Sequence, residues 1–169
     1  MDEKMIESLS YARMVDLIFD AETRLLLAMP FIHSELSKAL VDRRKLGDID
    51  LRVAVGLSED NVRNGYGDLE SIQSLRESGV TILNFRNCLI SFIIKDFEGY
   101  LLFPQSRFFS SGDDVINALR LEPVMMIRLI QHFFSPSSPK EKEKLIAELD
   151  SARLKMDEFS DQTLKEVEN

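Results

Sequence analysis

Apolar and polar positions follow changing periods along the chain, and each period predicts a helix or a strand. Residues 7–21 carry apolar side chains every three or four positions, which predicts an opening amphipathic helix. Residues 24–30 form a largely apolar run closed by a proline, which is typical of a strand buried on both faces. A helical period over residues 34–46 and an alternating period over residues 50–56 predict a second helix and a second strand.

A polar segment and a hairpin come next. Residues 57–68 are rich in asparagine, glycine and charged residues, so we expect a surface loop long enough to border a binding site. Residues 69–78 predict a helix, and residues 80–83 predict a short strand. Residues 89–95 and 100–103 predict two antiparallel strands, joined by a tight turn that begins at an aspartate.

The apolar positions return to a helical period from residue 115 to residue 134. The predicted order is therefore α-β-α-β-α-β, then a β-hairpin, then helices. Alternating helices and strands imply an α/β fold with a mixed, mostly parallel sheet, helices on both faces and the hairpin at one edge. We assign this α/β domain to residues 1–134.

A separate carboxyl-terminal unit begins at residues 135–139, where serine and proline predict a linker. Residues 140–169 predict a long amphipathic helix, whose apolar residues are spaced by four and three: Leu145, Leu149, Ala152, Met156 and Phe159. Two interpretations stay open, because such a helix can fold back on its own domain or pair with a second copy. In both cases we expect a packing role and assign it no catalytic function.

The charge of the chain limits its partners. With a net charge of −8, the surface repels phosphate backbones, so we expect contact with DNA only through another domain or a partner. Arg43, Arg44 and Lys45 form a tight basic cluster, which we interpret as the solvated end of a helix. The hydrophobic content of 44% and the charged content of 30% are ordinary for a soluble domain.

The cysteine count and the missing motifs bear on location and cofactors. Cys88 is the sole cysteine, which excludes an intramolecular disulfide, and we expect it to be a small buried side chain. No apolar run is long enough to span a bilayer and no signal-peptide pattern is present, so we expect a cytoplasmic protein without membrane contact. Because glycine-rich phosphate motifs and metal-ligand spacings are also missing, we expect neither cofactor nor metal.

Three segments carry a resemblance to a known family. They are the buried strand and proline at residues 25–30, the glycine junction at residues 78–82, and the strand-aspartate-turn-strand pattern at residues 92–102. With these segments, residues 18–111 resemble one half of the phospholipase D superfamily. The resemblance implies a phospholipase-D-like α/β sheet.

The same resemblance implies that the catalytic residues are missing. The family's signature is His-x-Lys-x-x-x-x-Asp, in which the histidine attacks phosphorus and the lysine holds phosphate oxygens, and two signatures complete one site. Placing Asp96 on the signature aspartate puts Leu89 at the histidine and Ser91 at the lysine. A leucine cannot act as a nucleophile, and a serine carries no positive charge. Lys95 lies about 13 Å from Ser91 along an extended strand, so it does not replace the missing lysine.

The two histidines of the chain are the alternatives for a nucleophile. His33 follows the first predicted strand, near the carboxyl edge where α/β sheets bind ligands. Neither histidine has a lysine two residues later, since His33 is followed by Glu35 and His132 by Phe134. We therefore expect no covalent phosphodiester chemistry and predict that the chain is not an enzyme.

Without its nucleophile, such a fold still keeps a crevice for a small ligand at the edge of the sheet. The resemblance implies polar contacts from the end of the last strand pair, so the candidate ligand-binding residues are His33, Ser91, Gln105, Ser106 and Arg107. The alternative is that Arg107 is a surface cation and Ser91 a strand hydroxyl with an ordinary partner.

Residues 18–134 are also similar to the effector domains of TrmB-type transcription regulators, which resemble phospholipase D halves without the catalytic histidine. That similarity implies a sensor attached to a DNA-binding helix-turn-helix. The sequence departs from it, because no winged-helix pattern precedes Met14 or follows Pro139. A longer parent chain or a partner would have to supply the DNA-reading element.

The combined prediction is a non-catalytic, phospholipase-D-like sensor or regulatory domain that binds a ligand or a protein, in transcription regulation. We expect a homodimer, with residues 140–169 as one possible contact, and a small-molecule effector. The alternatives are a phosphodiesterase or nuclease completed by a partner chain, and a structural dimerisation module.

Overall fold

A seven-stranded mixed sheet organises the described part of the protein, as a computed structural model shows. The described residues are 5–30, 32–56, 69–85, 88, 90–103 and 115–134. The strands are β1 (Ile6–Ser10), β2 (Arg24–Met29), β3 (Asp50–Val55), β4 (Thr81–Asn84), β5 (Ser91–Lys95), β6 (Glu98–Phe103) and β7 (Val115–Arg120). The described helices are α1 (Tyr11–Phe19), α2 (Ser34–Lys45), α3 (Leu69–Glu77) and α4 (Pro123–Phe133).

The sheet has a parallel half and an antiparallel half. Its strand order is β1-β7-β6-β5-β2-β3-β4. The β2–β3 and β3–β4 pairings are parallel, and the other four pairings are antiparallel. The prediction of a mixed α/β sheet is confirmed. The prediction that most of its strands run parallel is wrong, because only two of these six pairings are parallel. The correction arises because β5 runs back beside β2, and each later strand reverses direction against its neighbour.

The predicted hairpin lies inside the sheet instead of at its edge. Its strands β5 and β6 pair with each other over five residue pairs. On the outer sides, β5 pairs with β2 and β6 pairs with β7. The described strands at the two ends of the sheet are β1 and β4.

Two strands replace segments for which the sequence predicts helix. The predicted helix over residues 7–21 is wrong at its start, because β1 continues to Ser10 and α1 begins only at Tyr11. Ser10 caps α1: its backbone is extended and its Oγ accepts a hydrogen bond from the Arg13 amide at 3.1 Å. The segment Val115–Arg120 is strand β7 instead of helix, with buried and exposed residues alternating. Pairing with β6 and β1 on its two sides decides this conformation over local propensity.

The main core lies between the sheet and three helices. Helix α1 contacts α2, and α2 contacts α3. Leu17, Leu40 and Leu75 from these helices join one apolar cluster with residues of the central strands such as Leu27 and Val53. Each buried leucine stabilises the folded chain by roughly 1.5–3 kcal/mol relative to an exposed one.

The central strand β2 is buried on both faces, as the apolar run predicts. Leu25 and Leu27 point into the main core, and Leu26 and Ala28, on the other face, are also fully buried. Burial of both faces favours a continuous apolar run over an alternating one. The helices α1 to α3 cover one face, so a helical cover on the second face stays a prediction.

The basic cluster at the end of α2 differs from its prediction. Arg43 is buried, with 8% of its surface exposed. Its guanidinium donates hydrogen bonds to the Ala21 carbonyl oxygen at 2.6 Å and to the Gly47 carbonyl oxygen at 3.5 Å. Lys45 is exposed. The interpretation as a solvated helix end is therefore wrong for Arg43, which links α2 to the segment before β2.

The chain divides into two compact units, and the first ends at Leu121. The second unit begins at Glu122 and contains α4, which starts at Pro123 and buries Met126, Ile127, Ile130 and Phe133. The predicted linker, residues 135–139, and the predicted helix over residues 140–169 lie outside the described residues. Within the described ranges, no helix has both the length and the apolar character needed to cross a membrane.

Candidate functional site

The candidate residues lie at two opposite edges of the sheet. Ser91 opens β5 and pairs with Leu102, and the next residue, Phe92, pairs with Ala28 near the carboxyl end of β2. Ser91 therefore lies at the carboxyl edge of β2, β3 and β4, the edge at which open α/β sheets bind ligands. Asp96 follows the other end of β5, at the amino edge of β2.

The Asp96 carboxylate binds the segment that leads into β2. Its oxygens accept hydrogen bonds from the backbone amides of Glu22 at 3.1 Å, Thr23 at 2.8 Å and Arg24 at 3.0 Å. The Thr23 hydroxyl donates a further hydrogen bond at 2.8 Å. In return, the Asp96 amide donates to the Arg24 carbonyl oxygen at 2.9 Å. These bonds join the β5–β6 turn to the start of β2.

The backbone and the charge of Asp96 are both adapted to this contact. Its φ of 51° lies in the left-handed region, which aspartate tolerates better than most residues. Burial on its own raises the pKa of Asp96, but the hydrogen bonds from Arg24, Thr23 and Glu22 outweigh burial and lower it. The carboxylate therefore stays ionised and holds the turn in place.

Ser91 and Lys95 lie at opposite ends of β5, as expected from their spacing. Ser91 is half-buried at the carboxyl edge. The Lys95 ammonium lies 3.9 Å from a Glu98 carboxylate oxygen beside the turn. Leu89, which the resemblance places at the histidine position, lies outside the described residues, so its position stays a prediction.

His33 precedes α2 at the carboxyl edge of the sheet. It occupies the amino-terminal cap position, with extended backbone and no capping hydrogen bond from its side chain. Burial lowers the pKa of His33, and the nearby Glu35 carboxylate opposes that effect. The imidazole is therefore mostly neutral at pH 7, a form that can both donate and accept a hydrogen bond.

Tyr11 is a polar residue of this edge that the sequence reasoning missed. It begins α1 directly after Ser10, which pairs with Val115 at the end of β7 nearest the carboxyl edge. Burial, and then the Glu35 carboxylate, raise the pKa of Tyr11, so its phenol keeps its proton. The charge of the Glu35 carboxylate thus influences the pKa values of both Tyr11 and His33. Reading Ser10 as a helix cap would have placed Tyr11 at this edge.

A polar groove runs between α2 and α3. It encloses about 390 Å³ and is lined by Ser34, Ser37, Lys38, Val41, Asp42, Lys45, Glu70, Ser71 and Ser74. It begins next to His33. Inside it, the Ser37 hydroxyl donates to the Ser71 carbonyl oxygen at 3.0 Å, and Lys45 lies 3.3 Å from Asp42. The groove carries charges of both signs, and the sequence did not predict it because it depends on how two helices pair.

Gln105, Ser106 and Arg107 lie outside the described residues, so their contact with Ser91 and His33 stays a prediction. Cys88 is buried, as predicted; burial raises the pKa of its thiol to about 11, against a weaker opposing effect of its contact with the Ile90 carbonyl. Within the residues that the structure describes, no group of three or more histidine, cysteine, aspartate or glutamate side chains could hold a metal ion.

Comparison with solved structures identifies the fold. The chain is similar to Nuc from Salmonella typhimurium, a phospholipase D family member, with a TM-score of 0.55 and 15% sequence identity over 76% of this chain and 90% of that chain. It is also similar to TrmBL2, an archaeal chromatin protein, with a TM-score of 0.49 and 11% identity over 89% of this chain and 54% of that chain. No protein-family model and no curated protein matches the sequence. The resemblance is thus confirmed at the level of architecture, and the chain adopts the phospholipase-D-like fold.

Proposed function

We propose that this chain is a non-catalytic, phospholipase-D-like sensor or regulatory domain that acts by binding a ligand or a protein. The observation that carries the proposal is that the two ends of β5 carry residues with different roles. Asp96 uses its carboxylate to hold the β5–β6 turn at the amino edge. At the carboxyl edge, the same strand offers the uncharged hydroxyl of Ser91, where the family resemblance implies a lysine.

Hydrogen bonding is the chemistry that the described residues of the carboxyl edge support best. A phosphoryl transfer needs a nucleophile and a fixed positive charge for the developing negative charge. Ser91 supplies no charge, and Leu89 supplies no nucleophile. His33 is neutral at the cap of α2 and has Glu35, not a lysine, two residues later. Ser91, His33 and Tyr11 can instead orient a polar ligand.

The proposed ligand site combines these residues with the loop that follows β6. Gln105, Ser106 and Arg107 follow β6, whose Leu102 pairs with Ser91. Arg107 would favour a ligand with an anionic group, such as a phosphosugar or a nucleotide, because a guanidinium pairs well with phosphate. The proposed effector is therefore a small polar molecule, bound without a cofactor or a metal.

A role in transcription regulation rests on the sequence similarity to TrmB-type effector domains. The net charge of −8 disfavours direct contact with DNA, because binding to the phosphate backbone depends on cationic side chains. DNA contact would come from another domain or from a partner. We further propose a cytoplasmic location and a homodimer, with residues 140–169 as one possible contact.

A thermal-shift screen of sugars, phosphosugars and nucleotides tests the proposed function. A ligand at about 100 times its Kd stabilises the folded chain by about 2.7 kcal/mol, which raises Tm by roughly 5–10 °C in a chain of this size. Ser91→Ala and His33→Ala should remove most of that shift. Lys95→Ala is the matched control, because Lys95 lies on the same strand at the opposite edge.

Phosphodiesterase activity would decide against the proposal. We expect no hydrolysis of bis(4-nitrophenyl) phosphate above background by the purified chain, alone or at concentrations that favour dimers. Activity that survives purification and is abolished in His33→Ala would establish the alternative of an enzyme completed by a partner chain. If no ligand binds and no hydrolysis occurs, a structural dimerisation module becomes the better interpretation.

A further inference from the structure

The backbone of β1 has a defined inner and outer side. The Arg120 amide donates to the Met5 carbonyl oxygen at 3.1 Å, which makes Met5 and Arg120 a hydrogen-bonded pair. Because hydrogen-bonded and non-hydrogen-bonded pairs alternate in an antiparallel ladder, Glu7 and Leu9 also direct their amides and carbonyls towards β7. The hydrogen bonds between β7 and its other neighbour, β6, are consistent with this pattern. The Leu121 amide donates to the Gly99 carbonyl oxygen at 2.8 Å, on the side of β7 that faces away from β1.

The outer side of β1 therefore presents the backbone groups of Ile6, Ser8 and Ser10. No described strand pairs with this side, because β1 ends the sheet in the described part of the chain. Exposed strand edges are normally protected by lysine, proline or a bulge. β1 contains neither residue type, and its register with β7 runs through five consecutive pairs without a bulge. Its one charged side chain belongs to Glu7, whose backbone faces inward.

The sheet face beside this edge is uncharged. Cross-strand pairing places eight side chains of β1, β7 and β6 on it: Ile6, Ser8, Ser10, Val115, Asn117, Leu119, Leu101 and Phe103. None of the eight carries a charge. The exposed fractions are 61% for Ile6, 46% for Val115 and 45% for Phe103. In a chain with a net charge of −8, this is a surface at which two copies can meet without repulsion between like charges.

We propose that two copies of this chain pair through the outer edges of β1, antiparallel and centred on Ser8. The two-fold axis then places Ser8 opposite its own counterpart and Ile6 opposite the counterpart of Ser10. Ser8 exchanges two hydrogen bonds with its counterpart, and each Ser10 amide donates to the opposite Ile6 carbonyl.

The charge pattern of β1 fits this register. Glu7 lies opposite the counterpart of Leu9, so the two copies of Glu7 do not face each other directly. The seven strands of each copy join into one continuous sheet. This contact is separate from residues 140–169 and does not use the proposed ligand site, so its failure would leave the thermal-shift test of that site unaffected.

Disulfide trapping tests the register. In a hydrogen-bonded antiparallel pair the Cα atoms lie about 5.5 Å apart, within disulfide reach. Ser8→Cys, oxidised with diamide, should therefore give a covalent dimer on a non-reducing gel. Asn117→Cys is the matched control: it pairs with Ser8 on the neighbouring strand and shares its face, but lies about 14 Å from its counterpart, three strand spacings of about 4.8 Å. The native Cys88 is buried, so we expect it to take no part in the cross-linking of either variant.

Sedimentation of the 169-residue chain tests the hydrogen bonds. Two variants are compared, Ser8→Pro and Ser8→Ala. Each also carries Leu149→Glu, which removes the predicted carboxyl-terminal contact as a second source of dimers. Ser8→Pro deletes an amide that points away from β7 and should raise the dimer Kd about tenfold or more. The Tm measured at concentrations below the Kd, where the chain is monomeric, should not change. Ser8→Ala should leave the Kd unchanged. Equal cross-linking of the two cysteine variants, or a Kd insensitive to Ser8→Pro, would overturn the inference.

Discussion

At the scale of single residues, Asp96 joins two parts of the chain that are distant in sequence. Its carboxylate accepts hydrogen bonds from three successive amides that lead into β2. Charge-assisted bonds of this kind are stronger than neutral ones. They also offset the cost of a positive φ, so the residue combines backbone strain with a compensating contact.

Removing this carboxylate should destabilise the fold. We expect Asp96→Ala to lower the free energy of unfolding by about 2–4 kcal/mol, because it leaves backbone amides without an acceptor and places alanine at a positive φ. Asp96→Asn should lose less, since asparagine keeps an acceptor oxygen and tolerates this conformation. Urea unfolding at neutral pH measures both. A loss below about 0.5 kcal/mol in Asp96→Ala would contradict the assigned role.

The same carboxylate predicts a dependence of stability on pH. The pKa of Asp96 is lower in the folded chain than its ordinary value of 3.8. Its contribution is therefore fully present above about pH 5 and is lost as the pH falls through the folded pKa. The difference in unfolding free energy between wild type and Asp96→Asn should shrink between about pH 5 and about pH 2. A difference that stays constant over this interval would rule out the linkage.

Arg43 is a second residue whose role follows from burial. Its guanidinium donates to the carbonyls of Ala21 and Gly47, and its Nε has no hydrogen-bond partner among the residues that the structure describes. We expect Arg43→Ala to lower the free energy of unfolding by about 2–4 kcal/mol, because it leaves a cavity and an unpaired carbonyl. Lys45→Ala, two residues away and exposed, should change it by less than about 0.5 kcal/mol. Equal effects in urea unfolding would show that the buried contacts contribute little.

At the scale of elements, helix α2 begins with a residue that caps poorly. His33 holds the cap position without a capping hydrogen bond from its side chain, whereas serine at the start of α1 makes one. Serine, threonine, aspartate and asparagine are the preferred residues there, with an advantage of about 1 kcal/mol. The ligand contact proposed for His33 would give this position a role other than capping.

The cap gives a test that separates stability from binding. We expect His33→Ser to raise the free energy of unfolding by about 0.5–1 kcal/mol and to remove the ligand-induced rise in Tm. Urea unfolding and the thermal-shift assay provide the two readouts. Loss of stability together with unchanged ligand response would assign His33 a purely structural role.

Elements with a complete local period were predictable from the sequence, and those that depend on distant partners were not. The buried run of β2 and the periods of α2 and α4 match the structure. Strand β1 was missed because Ile6 and Leu9 have helical spacing, and its partner β7 lies near the other end of the domain. Because β1 was missed, Tyr11 was not recognised as the first residue of α1, at the carboxyl edge of the sheet. His33 was predicted near the carboxyl edge because it follows β2, and the strand register now puts Ser91 at the same edge. Their part in ligand binding stays a prediction.

At the scale of the whole molecule, stability should decrease from the centre of the sheet to its ends. Strand β2 has partners on both sides and is buried on both faces. Strands β1 and β4 end the described sheet and are partly exposed. Amides in the most buried, doubly paired elements exchange through global unfolding, and those at edges exchange through local opening.

Hydrogen exchange followed by mass spectrometry checks this gradient. We expect peptides from β2 and β5 to exchange at the rate set by global unfolding, and peptides from β4 to exchange first. Protection of β1 should increase with protein concentration if two copies pair through it, whereas protection of β4 should not. Faster exchange in β2 than in β4 would be inconsistent with this architecture.

The position of the Asp96 contact has a consequence for how such a chain can change over evolution. The anchoring of the turn and the proposed chemistry lie at opposite ends of one five-residue strand. Substitutions at the Ser91 end of β5 can therefore accumulate while the hydrogen bonds of Asp96 at the other end keep the hairpin in register. A catalytic protein with this layout can lose its reaction and keep its shape, and the vacated end is then open to selection for a new role.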